Sequence, residues 1–284
     1  MTHPNQNEPT FTLELEDPRG GSLAWVAPNR GALVTRFQVD GRDVLYLDEA
    51  TFQDLKANVR GGVPVLFPSP GKLENDTWAR DGRSGAMKQH GFARQLPWRV
   101  EAREPSSVAL SLRATPETLR QYPWDFEALF TFSVRGRTLR IDQRLTNHGD
   151  TAMPFGVGFH PYFHVPDAKK AQASIPTPAT RAFDNTVKQA VPFKGFDLTR
   201  SELDLHLLDH GSAQAELLLP DLNVKVSCSE ELSYWVVWTL KGRDFVCLEP
   251  WTCPGNALNT GERLLHLPPG QTRTLWMAIT AEPA

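Results

Sequence analysis

The chain has 284 residues, 40% hydrophobic and 22% charged, with a formal net charge of −3 and a pI near 6.2. This composition describes a globular protein with enough apolar material for a sizeable core and excludes a disordered chain, while the weakly acidic charge gives no overall attraction to nucleic acid or an anionic membrane. Three cysteines without a C-x-x-C pair, no run approaching eighteen apolar residues and a polar opening over residues 1–10 predict a cytoplasmic protein with reduced thiols, a flexible N-terminus, no signal peptide and no spanning helix.

Along the chain the dominant signal is alternation of apolar and polar residues. It begins at Phe11, Leu13 and Leu15 and returns at Leu33, Thr35, Phe37 and Val39. Short helical pieces are expected over 49–56 and 117–121. Between them, residues 68–89 carry Gly71, Gly82, Gly85 and four basic residues, Lys72, Arg80, Arg83 and Lys88. That stretch reads as a long loop flanking a pocket, since connections of this length in a compact domain are usually functional or mobile. Alternation resumes at Val108, Leu110 and Leu112, at Ala128 to Val134, at Leu139, Ile141, Gln143 and Leu145, and finally at Leu275, Met277 and Ile279. Turn residues such as Asp40-Gly41, Arg135-Gly136 and Pro269-Gly270 separate these runs. Many short strands without helical crossovers predict an all-β chain, one antiparallel sandwich or barrel domain over 1–284 with few short helices.

Three strings place ionisable side chains among glycine, proline and aromatics: Gln89-His90-Gly91-Phe92-Ala93-Arg94, Gly158-Phe159-His160-Pro161-Tyr162-Phe163 and Cys247-Leu248-Glu249-Pro250-Trp251. Two imidazoles and a carboxylate suit proton transfer near neutral pH, because burial and neighbours can move both into range. Each has a plainer reading: His160 as a satisfied core histidine, Glu249 as a carboxylate pinned by Arg60 or Arg94. Arg60, followed by Gly61-Gly62, offers a planar donor fork and free backbone N–H groups that suit hydroxyls or a phosphate. Trp251 and Phe163 can stack on an apolar ligand face, whereas Trp235 and Trp238 read as strand core. His160 and His164 do not read as a metal pair, because residues four apart on a strand lie about 13 Å apart. No metal site is expected.

Taken in order, Arg60-Gly-Gly-Val-Pro-Val-Leu-Phe-Pro68, the Gln89 to Arg94 string, His160-Pro-Tyr-Phe163, Leu248-Glu-Pro-Trp-Thr252 and Asn256-Ala-Leu-Asn-Thr-Gly261 resemble the aldose 1-epimerase (mutarotase) family, leaning to the branch with hexose-6-phosphate mutarotases. The resemblance implies a large antiparallel β-sandwich, the galactose mutarotase-like supersandwich, with a site in a cleft and no cofactor. It implies that Glu249 removes the anomeric proton and His160 protonates the ring oxygen, with Arg60, His90, Arg94 and Trp251 binding the substrate. A sugar-contacting aspartate is also implied, with Asp197, Asp204 and Asp209 as candidates. The partner is then a small sugar or sugar phosphate, not nucleic acid or membrane, met by a monomer or homodimer. The expected charge state is an ion pair, His160 protonated and Glu249 ionised. A carbohydrate-binding protein without catalysis is the alternative on the same fold. Glycoside hydrolysis fits less well, since it usually needs two carboxylates.

Overall fold

The computed structural model describes residues 8–17 and 19–284; most of the expected flexible N-terminus, residues 1–7, lies outside the described residues. Two antiparallel sheets carry the architecture. The seven-stranded sheet runs Gln214–Leu219, Leu222–Cys228, Thr272–Glu282, Thr138–Asn147, Phe126–Arg135, Ser107–Arg113 and Arg99–Glu104. The eight-stranded sheet runs Gln189–Pro192, Arg181–Asp184, Glu202–Leu207, Tyr234–Leu240, Phe245–Trp251, Gly158–Phe159 and Val65–Leu66, with Tyr162–His164 also pairing with Phe245–Trp251. A four-stranded sheet is built from Leu13–Glu16, Ser22–Ala27, Leu33–Val39 and Arg42–Asp43.

The period-two runs become strands where predicted. Phe126–Arg135 and Thr138–Asn147 pair over ten residues, from Phe126 opposite Asn147 to Arg135 opposite Thr138, and Arg135-Gly136 lies at their turn. Their apolar members face the eight-stranded sheet: Phe130 meets Phe159 at a ring separation of 6.3 Å and Phe126 meets Phe67 at 5.1 Å. These contacts close a core shared by both sheets.

Alternation then decides what the other face of the eight-stranded sheet presents. In Phe245–Trp251, Val246 and Leu248 enter the shared core, so Cys247, Glu249 and Trp251 point the opposite way. In Tyr234–Leu240, Trp235 and Val237 go inward and Tyr234, Val236 and Trp238 outward; in Glu202–Leu207, Leu203 and Leu205 go inward and Asp204 and His206 outward. A polar, aromatic floor on one sheet face follows from these three strands.

Two predicted elements need correcting. The helix expected over 49–56 spans only Glu49–Gln53: Asp48 caps its start by accepting from the Thr51 N–H at 3.1 Å, and Asp54 takes extended backbone while accepting from the Lys56 N–H. The second helix is Pro116–Gln121, held by a Thr115/Thr118 capping box. The stretch 68–89 is not all loop. Thr77–Arg80 and Arg83–Ala86 form a hairpin, anchored where the Trp78 indole donates to the Gln121 carbonyl at 3.0 Å. Four-residue strands rich in small and charged residues carry too little apolar alternation to be read from sequence.

Candidate active site

The floor of the eight-stranded sheet opens into a cleft of about 990 Å³. His160 and Glu249 sit at its base, 8% and 1% exposed, with His160 Nε2 3.3 Å from Glu249 Oε1. Both lie in strings of the eight-stranded sheet: Glu249 on Phe245–Trp251, His160 in the connection between its neighbours Gly158–Phe159 and Tyr162–His164. The His160 ring stacks on Tyr162 at 4.6 Å and 12°. Glu249 Oε2 accepts from the Trp251 indole N–H at 3.1 Å, so one oxygen is held and the other faces the imidazole.

Gly158 is what lets Trp251 lie there. A Cβ at residue 158 would stand 2.6 Å from Trp251 Cδ1, closer than atoms can pack. Gly91 plays the same part below His90: its φ is 70°, and a Cβ would meet the Phe67 carbonyl oxygen at 2.1 Å.

His90 is 8% exposed, and its Nδ1 donates to the Pro70 carbonyl at 2.5 Å, leaving Nε2 for the cleft. Its ring lies edge-on to both His160, at 5.5 Å, and Trp251, at 5.9 Å. Arg94 is half-buried beside them. Its Nη2 donates to the Gln89 carbonyl at 3.3 Å, its Nε has no partner, and no carboxylate pairs with it among the described residues. Arg60 stands exposed at the cleft wall with its guanidinium 5.9 Å from the Trp238 ring.

Burial sets the charge state against the ion pair expected from sequence. Desolvation first, then the neighbouring His90 ring, which disfavours a second imidazolium beside it, and the Arg94 guanidinium push His160 well below the ordinary imidazole range. Desolvation, then the charge of Asp204, pushes Glu249 well above the carboxylate range, and the Trp251 hydrogen bond only partly opposes this. His90 is driven to about 3, by burial first and Arg94 second. Taking two charges out of water costs more than their attraction returns. Both shifts favour the uncharged forms, neutral imidazoles and a protonated Glu249, with Glu249 Oε1 3.3 Å from His160 Nε2.

The cleft gathers all six expected residues, Arg60, His90, Arg94, His160, Glu249 and Trp251. Other expectations need amending. Phe163 is fully buried in the core and offers no ligand face, while Trp238, read as core, lines the cleft. Of the three aspartates only Asp204 lines the cleft; Asp197 caps the Thr199 N–H and Asp209 the N–H groups of Thr180 and Arg181. His164 is exposed, so it makes no pair with His160.

Two residues escaped the sequence reading. His206, 7% exposed, bridges Asp204 Oδ1 at 3.3 Å and the Tyr234 hydroxyl at 3.2 Å, and Tyr234 stacks on Trp251. The signal was the alternation Leu203-Asp204-Leu205-His206-Leu207, in which two polar side chains share a face. Lastly, a donor atom from each of His160, Cys247 and Glu249 falls within 4.8 Å of the other two, a grouping that sequence spacing does not show because His160 comes from a distant segment.

The chain is similar to known proteins over most of its length. The sequence model described as Aldose 1-epimerase matches residues 12–280. Among solved structures, the Slr1438 protein from Synechocystis sp. PCC 6803 is 37% identical, covers 100% of both chains and superposes with a TM-score of 0.94. A galactose mutarotase-like protein from Lactobacillus casei, 21% identical, shares the fold with a TM-score of 0.79 over 96% of this chain and 100% of its own. An Escherichia coli (strain K12) protein that carries the provisional name glucose-6-phosphate 1-epimerase is 34% identical over 136 residues, 46% of this chain and 42% of that protein. With a matched region spanning nearly the whole β-sandwich, the chain belongs to the aldose 1-epimerase family and is a carbohydrate epimerase.

Proposed function

We propose that the protein interconverts the α and β anomers of a hexose or hexose 6-phosphate, with Glu249 and His160 as the base and acid. The observation that carries this reading is the buried contact between His160 Nε2 and Glu249 Oε1 at the base of the cleft. Anomer exchange moves one proton off the anomeric hydroxyl and one onto the ring oxygen, with no redox change. Glu249 takes the first proton, the C1–O5 bond breaks as the C1 carbonyl forms, and His160 gives its proton to O5. Rotation about C1–C2 presents the other carbonyl face, and the same steps run backwards.

The shared proton makes the burial pattern useful. Before opening, the pair must be imidazolium and carboxylate; after opening it is neutral imidazole and carboxylic acid. The apolar surroundings favour the second arrangement, so desolvation pulls toward the open sugar, while the hydroxyls of the bound ring favour the charged pair by hydrogen bonding. His90, fixed by Pro70 and held neutral, offers Nε2 to the sugar as an acceptor. Trp251 and Trp238 supply apolar surface for the ring face, and Asp204, steadied by His206 and by the Asn185 amide at 2.6 Å, accepts from a hydroxyl.

Proton exchange between the anomers of glucose, galactose and glucose 6-phosphate, measured by NMR saturation transfer, tests the reading. Acceleration of at least one sugar is expected; binding of all three without acceleration would leave a binding protein. Arg94 bears on the choice of substrate, because its guanidinium has no carboxylate partner among the described residues. Arg94→Ala should raise KM for the phosphorylated sugar by about 10–100-fold, the worth of one or two charge-assisted hydrogen bonds, with little change for the free hexose. An equal loss on both sugars would deny Arg94 a role as the phosphate clamp.

Asp204 predicts a pH effect. Its negative charge helps hold the proton on Glu249, so Asp204→Asn should let Glu249 ionise at lower pH. The acid limb of kcat/KM then moves to lower pH, even if the maximum falls through a lost sugar contact. A limb that stays in place would separate Asp204 from the proton balance.

A further inference from the structure

We propose that His160, Cys247 and Glu249 form a site for a thiophilic divalent cation such as Zn²⁺ or Co²⁺, seated where it blocks the acid/base pair. The three side chains bring one imidazole nitrogen, one sulfur and one carboxylate oxygen within 4.8 Å of one another, all buried. Nitrogen, thiolate and carboxylate together are the donor mixture that zinc takes in sites with an open fourth position.

The geometry is close to what coordination needs. Three donors no more than 4.8 Å apart have a common point within about 2.8 Å of each, since an equilateral triangle of that side has this circumradius. Metal–ligand distances of roughly 2.0–2.3 Å therefore require inward movement of about half an ångström per donor. The His160–Glu249 separation of 3.3 Å already matches the roughly 3.4 Å edge of a tetrahedron with 2.1 Å bonds.

Strand geometry explains the grouping. Cys247 and Glu249 are two residues apart on one strand and share a face, while Tyr162, two residues past His160, is paired with Cys247 across the sheet. The sulfur lies beneath the cleft floor among Tyr162 and Phe245, so an ion must enter from the cleft between the imidazole and the carboxylate. Binding displaces the thiol and carboxyl protons to solvent, and the fourth position faces the cleft for a water molecule. A cation in this place occupies both groups that the sugar reaction uses.

Cobalt titration tests the site without reference to activity. Wild-type protein should take up one Co²⁺ and develop a thiolate-to-cobalt charge-transfer band in the near ultraviolet. Cys247→Ala should abolish that band, and His160→Gln should weaken binding about 100-fold, at least as much as losing an outer partner of a ligand costs. Because Cys247 is enclosed, Glu249→Gln provides a variant of unchanged shape that must also weaken binding. Zn²⁺ should inhibit wild-type turnover, and Cys247→Ala should retain turnover while losing that sensitivity. No band in the wild type, or a band that survives Cys247→Ala through Cys228 or Cys253, overturns the proposal. Because the band is read without substrate, its absence is distinct from failure of the anomer-exchange reading.

Discussion

Glu249→Gln should slow anomer exchange by about 10²–10⁴-fold while leaving sugar affinity within a few-fold of wild type. The range is what one positioned general base contributes. Gln keeps the shape of the side chain and can still accept the Trp251 indole N–H through its amide oxygen, so the ring face and the cleft walls stay in place. His160→Gln should cost a similar factor. If the two groups share one proton circuit as proposed, the double variant should be little slower than the slower single variant. Rates by saturation transfer and affinities by calorimetry separate the two quantities; a loss of affinity in step with the loss of rate would make Glu249 a binding residue instead.

Stability distinguishes this loss from unfolding. The folded-state value of Glu249 is raised, so above the ordinary carboxylate value the unfolded chain releases a proton that the folded chain retains. Folding then loses stability as pH rises above the ordinary carboxylate value, and removing the carboxyl relieves that cost. Glu249→Gln should be at least as stable as wild type at pH 7 to denaturant, a trade of stability for activity that fits a functional group placed against its solvation preference. A strongly destabilised variant would mean that the carboxyl is structural.

The second large effect is acid lability from the buried imidazoles. The folded-state value of His90 is depressed to about 3, against about 6.5 in an unfolded chain. The unfolded state therefore takes up the proton first, so the contribution is whole above pH 6.5 and drains away as pH falls toward 3. At roughly 1.4 kcal/mol per unit, the 3.5-unit gap amounts to roughly 5 kcal/mol, a large share of the 5–15 kcal/mol that holds a typical domain together. His160, depressed by the same burial, adds to the loss in the same direction. Denaturant midpoints between pH 7 and pH 4 should fall steeply for wild type and distinctly less for His90→Gln, even though that variant starts lower at pH 7. Parallel slopes would mean that His90 titrates as a solvated residue.

Much of the fold was present in local pattern. The runs at 33–39, 126–135 and 138–147 alternate so regularly that each has one buried face, and burial of that face is enough to define a strand. The hairpin at Thr77–Arg80 and Arg83–Ala86 lacked such a pattern, because its lock is the contact between Trp78 and Gln121, forty-three residues away. The helix at Glu49–Gln53 stopped early because Asp54 hydrogen-bonds locally in an extended conformation, which propensity alone does not resolve.

The sequence by itself determined the β-sandwich, the cleft residues in the strings around His90, His160 and Glu249, and Arg60 and Arg94, since each rests on local composition and order. Only the tertiary structure decided which aspartate joins them, that His206 and Tyr234 stand beside it, that Trp238 faces the cleft and Phe163 the core, and that Cys247 lies within reach of His160 and Glu249. It also reversed the charge state: sequence reasoning sees a cation and an anion that attract, whereas the packed sheet removes the water that made either charge tolerable. Side-chain alternation fixes which residues share a face, but strand order and burial depth come from pairings far apart in the chain, and those set both the neighbours and the dielectric around each proton.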